Sequence, residues 1–296
     1  LIARGPHLSA MQSKGLRLRS PDGTIETITV NATDDPAALP PQDVVITALK
    51  GHQIPPLADT LAALMAPHSR NLAAVNGLPW WYPIPDGNGG TKGAEEVDPG
   101  GVLWQKIGPE RAIGSIAYLG ASVPEPGLIS YDIQGYLDLG RLTGQDTNDV
   151  TRIASVLESA GWMIRQTNPF QNALWTKLMS NCALNSVAAI TRSSSGVNLE
   201  AKPIYDFTAA IMEEVRAIAT AENAEIAVTT EKRLSLAMRN ASFKPSTLQD
   251  LEKGRPMEIE PIFAAAAAVG RARNVPCPML DLATEILRQV ERTRNL

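Results

Sequence analysis

In the first half of the chain, apolar residues come in short runs separated by stretches with helical spacing. Val44-Val45-Ile46-Thr47-Ala48-Leu49 is a nearly continuous apolar run of strand length, which marks a strand buried in a parallel sheet. Residues 55–65 follow, with Leu57, Leu61, Leu64 and Met65 on one helical face, and Asn71-Leu72-Ala73-Ala74-Val75 is the next strand. Strand, helix, strand is a βαβ unit, and its crossover puts both strands parallel in one sheet. Residues 16–30 predict a hairpin turning at Pro21-Asp22-Gly23, with Thr and Ile alternating after the turn. Residues 113–118, 128–133 and 136–142 predict further strands, followed by a helix over 147–159 and the run 162–166. Beyond Asn168-Pro169 the period changes, and nearly everything is helical, rich in Ala, Leu, Glu and Arg. Gly and Pro clusters such as Gly254-Arg255-Pro256 and Asn274-Val275-Pro276 punctuate these helices. The alanines at 264–268 predict a tightly packed helical segment.

This change of period places a boundary near Thr167. Residues 1–167 form a Rossmann-like α/β dinucleotide-binding domain on this reading, and residues 168–296 an all-α domain for substrate and dimerisation. A doubly wound nucleotide domain opens with a strand, a Gly-rich turn and a helix. No such turn lies near the start of this chain, and Leu1-Ile2-Ala3-Arg4-Gly5 looks like the end of a second strand. The expectation is that about thirty residues, one strand-turn-helix unit, precede Leu1. An acidic residue at that strand end would bind the ribose hydroxyls of NAD, whereas a basic one would meet the 2′-phosphate of NADP. Arg4 fits the second case, unless it is simply a solvated arginine.

Composition narrows the function classes. The 296 residues are 20% charged and 44% hydrophobic, an ordinary globular balance with ample length for a core. A net charge of -4 gives no reason to expect a nucleic-acid partner. No apolar run is long enough to span a bilayer, and the first residues have no signal-peptide order. Cys182 and Cys277 lie far apart and the three histidines are scattered, so no metal site is expected. A reduced cytoplasmic setting is the default.

The chemistry-bearing candidates are polar residues in apolar surroundings. Lys177, Asn181 and Asn185 stand at i, i+4 and i+8, on one helix face that drifts by about 80°. Asparagine is a poor helix-interior residue, so this row is either a solvated stripe or a set of groups needing partners. Glu258, at the head of a helical stretch, reads as a carboxylate favoured by the helix dipole. Ser246-Thr247-Leu248-Gln249 has the capping-box pattern, with Ser246 as N-cap. Lys50 and Asn76 each follow a predicted strand, where ligands of open α/β sheets bind, and Gln53 lies in the same loop as Lys50. Their plain alternatives are a solvated loop charge and an Asn-Gly turn.

Five segments in order resemble the ketopantoate reductase family: residues 1–5, Thr47-Ala48-Leu49-Lys50-Gly51-His52-Gln53, Val75-Asn76-Gly77, residues 172–185, and residues 246–258. Together they span nearly the whole chain. The resemblance implies NADPH-dependent reduction of a 2-oxo acid to a 2-hydroxy acid, with ketopantoate to pantoate, a step of pantothenate and coenzyme A biosynthesis, as first choice. It implies catalytic Lys177, protonating the ketone oxygen, with Glu258 anchoring a substrate hydroxyl. It implies substrate contacts from Asn76, Asn181, Asn185 and Ser246, the Ser246 hydroxyl reaching the substrate carboxylate, and NADP contacts from Arg4, Lys50, Gln53 and Asn76, with Lys50 facing either a cofactor phosphate or the substrate carboxylate. Two positions depart from the family pattern, Ser195 and Phe243 standing where asparagine is frequent. Trp80-Trp81-Tyr82 opens an insertion after the Asn-Gly turn that reads as an apolar lid, a homodimer surface or a cover for the sheet edge. These departures leave two other readings: reduction of another branched or aromatic 2-oxo acid, and a non-catalytic dinucleotide-binding protein.

Overall fold

The computed structural model describes residues 1–131 and 135–294. Its main sheet has five strands in the spatial order Met163–Gln166, Tyr136–Gly140, Ala112–Tyr118, Met65–Ala73, Gln42–Thr47. Gln42–Thr47, Met65–Ala73 and Ala112–Tyr118 run parallel, and Tyr136–Gly140 is antiparallel to its neighbour Ala112–Tyr118. The predicted βαβ unit is present, its crossover built from a 3₁₀ turn at Pro55–Leu57 and the helix Ala58–Ala63. Met65 opens the second strand instead of closing the helix. The amphipathic helix Asn148–Ser159 covers one face of the sheet, burying Val150, Ile153 and Ala154 against Leu72, Ile113 and Leu139.

The hairpin pairs Leu16–Arg19 with Ile25–Ile28, as its turn predicts, but it lies outside the main sheet. It joins Ala121–Glu125 and Leu128–Tyr131 in a separate four-stranded sheet, with Leu16–Arg19 parallel to Leu128–Tyr131. Ile133, the expected end of that last strand, lies outside the described residues. The opening segment makes a single parallel bridge, Ile2 to Thr33, where the pattern suggested a strand end. Gly5–Lys14, a helix the sequence pattern did not announce, follows with Pro6 in its first turn.

The helical part is organised around Lys202–Ala221. Its buried residues Thr208, Ile211, Met212, Val215, Ile218 and Ala219 keep the three-and-four spacing of a helix face turned to a core. Ala264, Ala265, Ala266 and Ala267 are buried, and Gly270 lies so near that an added Cβ would stand 3.0 Å from Ile218. The small residues therefore let these helices approach closely. Both oxygens of the Glu214 carboxylate accept N–H groups at the start of Pro278–Thr293, from Met279 and Leu280 at 2.9 Å. This satisfies donors that a helix start leaves without intrahelical partners.

Two helices contain a π turn, at Asn181–Asn185 and Glu260–Ala264. Pro261 has no N–H to give its helix, and the carbonyls around it take donors from elsewhere. Pro261 O accepts Leu78 N–H at 2.7 Å, and Ile262 O lies 3.3 Å from Cys182 Sγ, inside the other π turn. Such turns are rare and frequent at functional sites.

Candidate active site

The helix Phe170–Ser180 presents Lys177 to the carboxyl ends of the parallel strands. Its Nζ donates to Asn76 Oδ1 and to Ala117 O, both at 3.0 Å. Asn76 stands just beyond Met65–Ala73, and Ala117 near the end of Ala112–Tyr118. The ammonium also lies 5.5 Å from the ring centre of Tyr118. Burial lowers the Lys177 pKa to about 8, although the charges of Glu258 and Asp138 pull it upward. Loss of hydration disfavours the charged amine, and two carboxylates at a distance restore part of that loss.

The π turn changes how the polar row is presented. An i→i+5 turn rotates each residue less than an α turn, so Asn185 is pulled back toward the line of Lys177 and Asn181. Asn185 is buried and Asn181 half-buried, and neither amide hydrogen-bonds within the described residues. Asn181 and Lys177 line a small cavity with Val75, Gly77 and Phe170. The row thus faces an interior cleft and is not a solvated stripe.

Two strand-end loops dock on the segment that carries Glu258. Glu258, 6% exposed, accepts the backbone N–H of Gly51 at 3.1 Å. Gly77 has φ +88°, and a Cβ there would stand 2.2 Å from Pro261 O. Only glycine fits both the dihedral and this approach. Asn76 reaches Lys177 because Gly77 lets the turn lie flat against the π turn.

The other predicted positions fall at varied distances from this centre. Lys50 Nζ donates to Asp250 Oδ2 at 2.8 Å and to Pro256 O at 3.0 Å, joining the first strand-end loop to the helical part. Gln53 Oε1 accepts the Lys50 backbone N–H at 3.2 Å. Arg4 is exposed, just before the Gly5–Lys14 helix. Ser246 is exposed, and its capping box does not form: Pro245 occupies the cap position of Ser246–Glu252 and no side chain caps that helix. The proline places the helix start one residue earlier than the serine pattern indicates. Ser195 is buried with an unpartnered hydroxyl, and its backbone N–H donates to Phe243 O at 3.3 Å. The Phe243 side chain is 53% exposed.

The aromatic insertion is neither an exposed lid nor a free dimer surface. Trp80, Trp81 and Tyr82 are at most 4% exposed, packed against the chain's own helical part. Trp81 lies 6.0 Å from Phe170, and Tyr82 meets Trp175 edge-on at 5.9 Å. Sequence pattern had no means of showing this, because the partners are about ninety residues away.

Sequence reasoning also missed a group beside Lys177. Tyr118 and Tyr136 stack at 4.7 Å, and the Arg165 guanidinium lies 4.0 Å over Tyr136. Arg165 is held by buried Asp138 through bonds of 2.6 and 2.8 Å. Burial and the nearby Asp138 push the Tyr118 phenol up to about 12, so it stays neutral over the physiological range. Strand ends that converge with a helix on one amine can shelter a carbonyl substrate beside a dinucleotide. Among the described residues, no cluster of His, Cys, Asp or Glu could hold a metal. No helix among them is long and apolar enough to cross a membrane.

Comparison with known proteins agrees with this architecture. The family model "Ketopantoate reductase PanE/ApbA" matches residues 1–144, and its C-terminal counterpart matches residues 169–291. A 2-dehydropantoate 2-reductase of Mesorhizobium japonicum is 34% identical over all of this chain and 90% of its own length. A crystal structure from Ralstonia solanacearum MolK2, designated a ketopantoate reductase, superposes with a TM-score of 0.91 at 32% identity, covering 99% of this chain and 90% of that one. The fold is shared with D-mandelate dehydrogenase, solved with NADH and anilino(oxo)acetate, at a TM-score of 0.81 and 18% identity over 100% and 91% of the two chains. The chain belongs to the ketopantoate reductase family, whose members are oxidoreductases.

Proposed function

We propose that this protein reduces a 2-oxo acid to a 2-hydroxy acid with NADPH, 2-dehydropantoate being the first-choice substrate. The observation that carries the reading is the Lys177 ammonium, steered by Asn76 Oδ1 and Ala117 O and lowered to about 8. Such an amine is a general acid matched to neutral pH, and its charge lies where an alkoxide develops. The 1–167 part then carries the cofactor and the 168–296 part supplies the substrate side. The donor set suits the nicotinamide end of a dinucleotide, because Asn76 and the Lys50–Gln53 loop sit at parallel strand ends. Lys50 is held by Asp250, and exposed Arg4, read as the partner of the 2′-phosphate, is the reason to prefer NADPH over NADH. When bound, the reduced nicotinamide supplies the hydride.

Asn181 and Asn185 offer amides to the substrate, Ser246 a hydroxyl at the rim, and Glu258 a carboxylate for a substrate hydroxyl. Glu258 keeps its second oxygen available, since Gly51 N–H engages Oε1. Lys177 gives its proton to the ketone oxygen and is recharged from solvent.

The test follows NADPH oxidation by the natural full-length protein with 2-dehydropantoate, beside NADH and a panel of 2-oxo acids. Turnover with NADPH and 2-dehydropantoate, abolished by Lys177→Ala, is the expected result. A second reading keeps the chemistry and takes a larger branched or aromatic 2-oxo acid. The Tyr118–Tyr136 stack beside Lys177 and the apolar Phe243 favour it, and a strong preference for 2-dehydropantoate would end it. Cofactor binding without turnover of any oxo acid would point to a non-catalytic protein.

A further inference from the structure

Among the described residues of the helical part, the half-buried arginines are Arg216, Arg233 and Arg288. Arg216 is paired with Glu213 and Arg288 with Glu260. Arg233 is half-buried, and among the described residues it faces no carboxylate within ion-pair distance. Among the described residues its side chain makes one hydrogen bond, from Nε to Ser180 Oγ at 2.6 Å. The Ser180 hydroxyl donates in turn to Thr176 O at 3.3 Å, so it presents a lone pair to Arg233 and fixes the guanidinium. Ser180 is one turn beyond Lys177 and adjacent to Asn181, which brings Arg233 to the edge of the polar row. Lys177 lies over the Tyr118 ring, and the charge of Arg233 acts on the same phenol. Sheltering a guanidinium without a counter-ion is unfavourable, and the remaining N–H groups form a fork suited to a planar anion.

We infer that Arg233 binds the carboxylate of the 2-oxo acid, setting the substrate's ketone oxygen toward Lys177. The inference rests on the reading of this cleft as a 2-oxo acid site, and it names the group that makes the site prefer an acid to a neutral ketone. It also accounts for a cleft in which Ser246 is exposed and Phe243 offers only its ring and backbone. The carboxylate of Asp138, which acts on the same phenol, is already engaged by Arg165. Arg233 is accordingly left for an incoming one.

The experiment compares the parent, Arg233→Gln and Arg233→Lys on the 2-oxo acid turned over best and on its primary amide. Calorimetry measures binding of the 2-hydroxy acid product to the cofactor-loaded protein. In Arg233→Gln the KM for the acid should rise roughly 10- to 100-fold, with kcat within about threefold and the KM for the amide unchanged. Product binding should weaken by a similar factor, and Arg233→Lys should recover part of both losses. Equal losses for acid and amide, or no loss for either, would overturn the assignment while leaving the reductase reading intact. A folded parent that reduces no 2-oxo acid would remove both together.

Discussion

The helix Phe170–Ser180 has two faces that meet different neighbours. One face, with Trp175, is sealed by the aromatic insertion, and Phe170 marks the boundary, packing on Trp81 while lining the small cavity beside Lys177. There Trp175 Nε1 donates to Tyr82 OH at 2.9 Å, and that hydroxyl donates to Glu222 Oε2 at 2.7 Å, while Arg273 pairs with Glu222. The other face carries Lys177, Asn181 and, through the π turn, Asn185, and the two asparagine amides have no hydrogen-bond partner among the described residues. Aromatic content alone therefore does not locate the site. What separates the faces is whether polar groups are satisfied inside the fold, since a buried polar group without a partner is unfavourable unless a ligand completes it. The comparison has an exception on the sealed side, where the Trp80 and Trp81 indole N–H groups are buried without partners. The insertion is held there by packing area.

The largest effect expected is on the open face. Lys177→Met should lower kcat by roughly 10²- to 10⁴-fold, the usual contribution of a positioned general acid. Its thermal melting should be unchanged or higher, because the substitution removes an amine whose charged form burial disfavours. A steady-state assay beside a melt checks both, and a kcat within tenfold of the parent would erase the functional distinction between the faces. On the sealed face the signs reverse. Trp81→Ala should destabilise by about 3–5 kcal/mol, through lost burial and the cavity left against Phe170, with kcat little changed in the folded enzyme. Tyr82→Phe is the milder version. It leaves Trp175 N–H unpaired but keeps Glu222 on Arg273, so about 1–3 kcal/mol is expected in denaturant unfolding.

How much of this was legible beforehand depends on the range of the interactions. The strands read at 44–49 and 113–118, the hairpin at 16–30 and the helical period beyond Pro169 are local patterns, and they appear within a residue or two of those bounds, as strands Gln42–Thr47 and Ala112–Tyr118, the pair Leu16–Arg19 and Ile25–Ile28, and the run of C-terminal helices. Non-local pairing was not legible. Nothing in the hairpin says that Leu16–Arg19 will lie parallel to Leu128–Tyr131, away from the main sheet. The helix Gly5–Lys14 was missed because it turns only Leu8 and Met11 inward, too few to make a stripe. For the candidate site, Lys177 with its asparagines stood out because amides are unusual among Leu, Met and Ala. Arg233 did not, since in an amphipathic helix with Glu231 and Lys232 it reads as one more solvated charge. The π turn at 260–264 left one signal, a proline at 261 inside a helical stretch; the turn at 181–185 left none that periodicity could read.

The smallest expected effect is also the most discriminating, because it reads the charge on the open face without removing Lys177. If Lys177 must be protonated to deliver a proton, kcat/KM for reduction is level below its pKa. Above about pH 8 it falls by about tenfold per pH unit. Burial sets that value, and Glu258 and Asp138 raise it. Removing the negative charge with Glu258→Gln therefore makes Lys177 lose its proton more readily, and the falling limb moves to lower pH. Tyr82→Phe, on the sealed face, should leave the limb where it is. A limb that moves equally in both variants would mean that the two faces are electrostatically one region. A limb unmoved by Glu258→Gln would mean that the group titrating near pH 8 is not the amine held by Asn76 and Ala117.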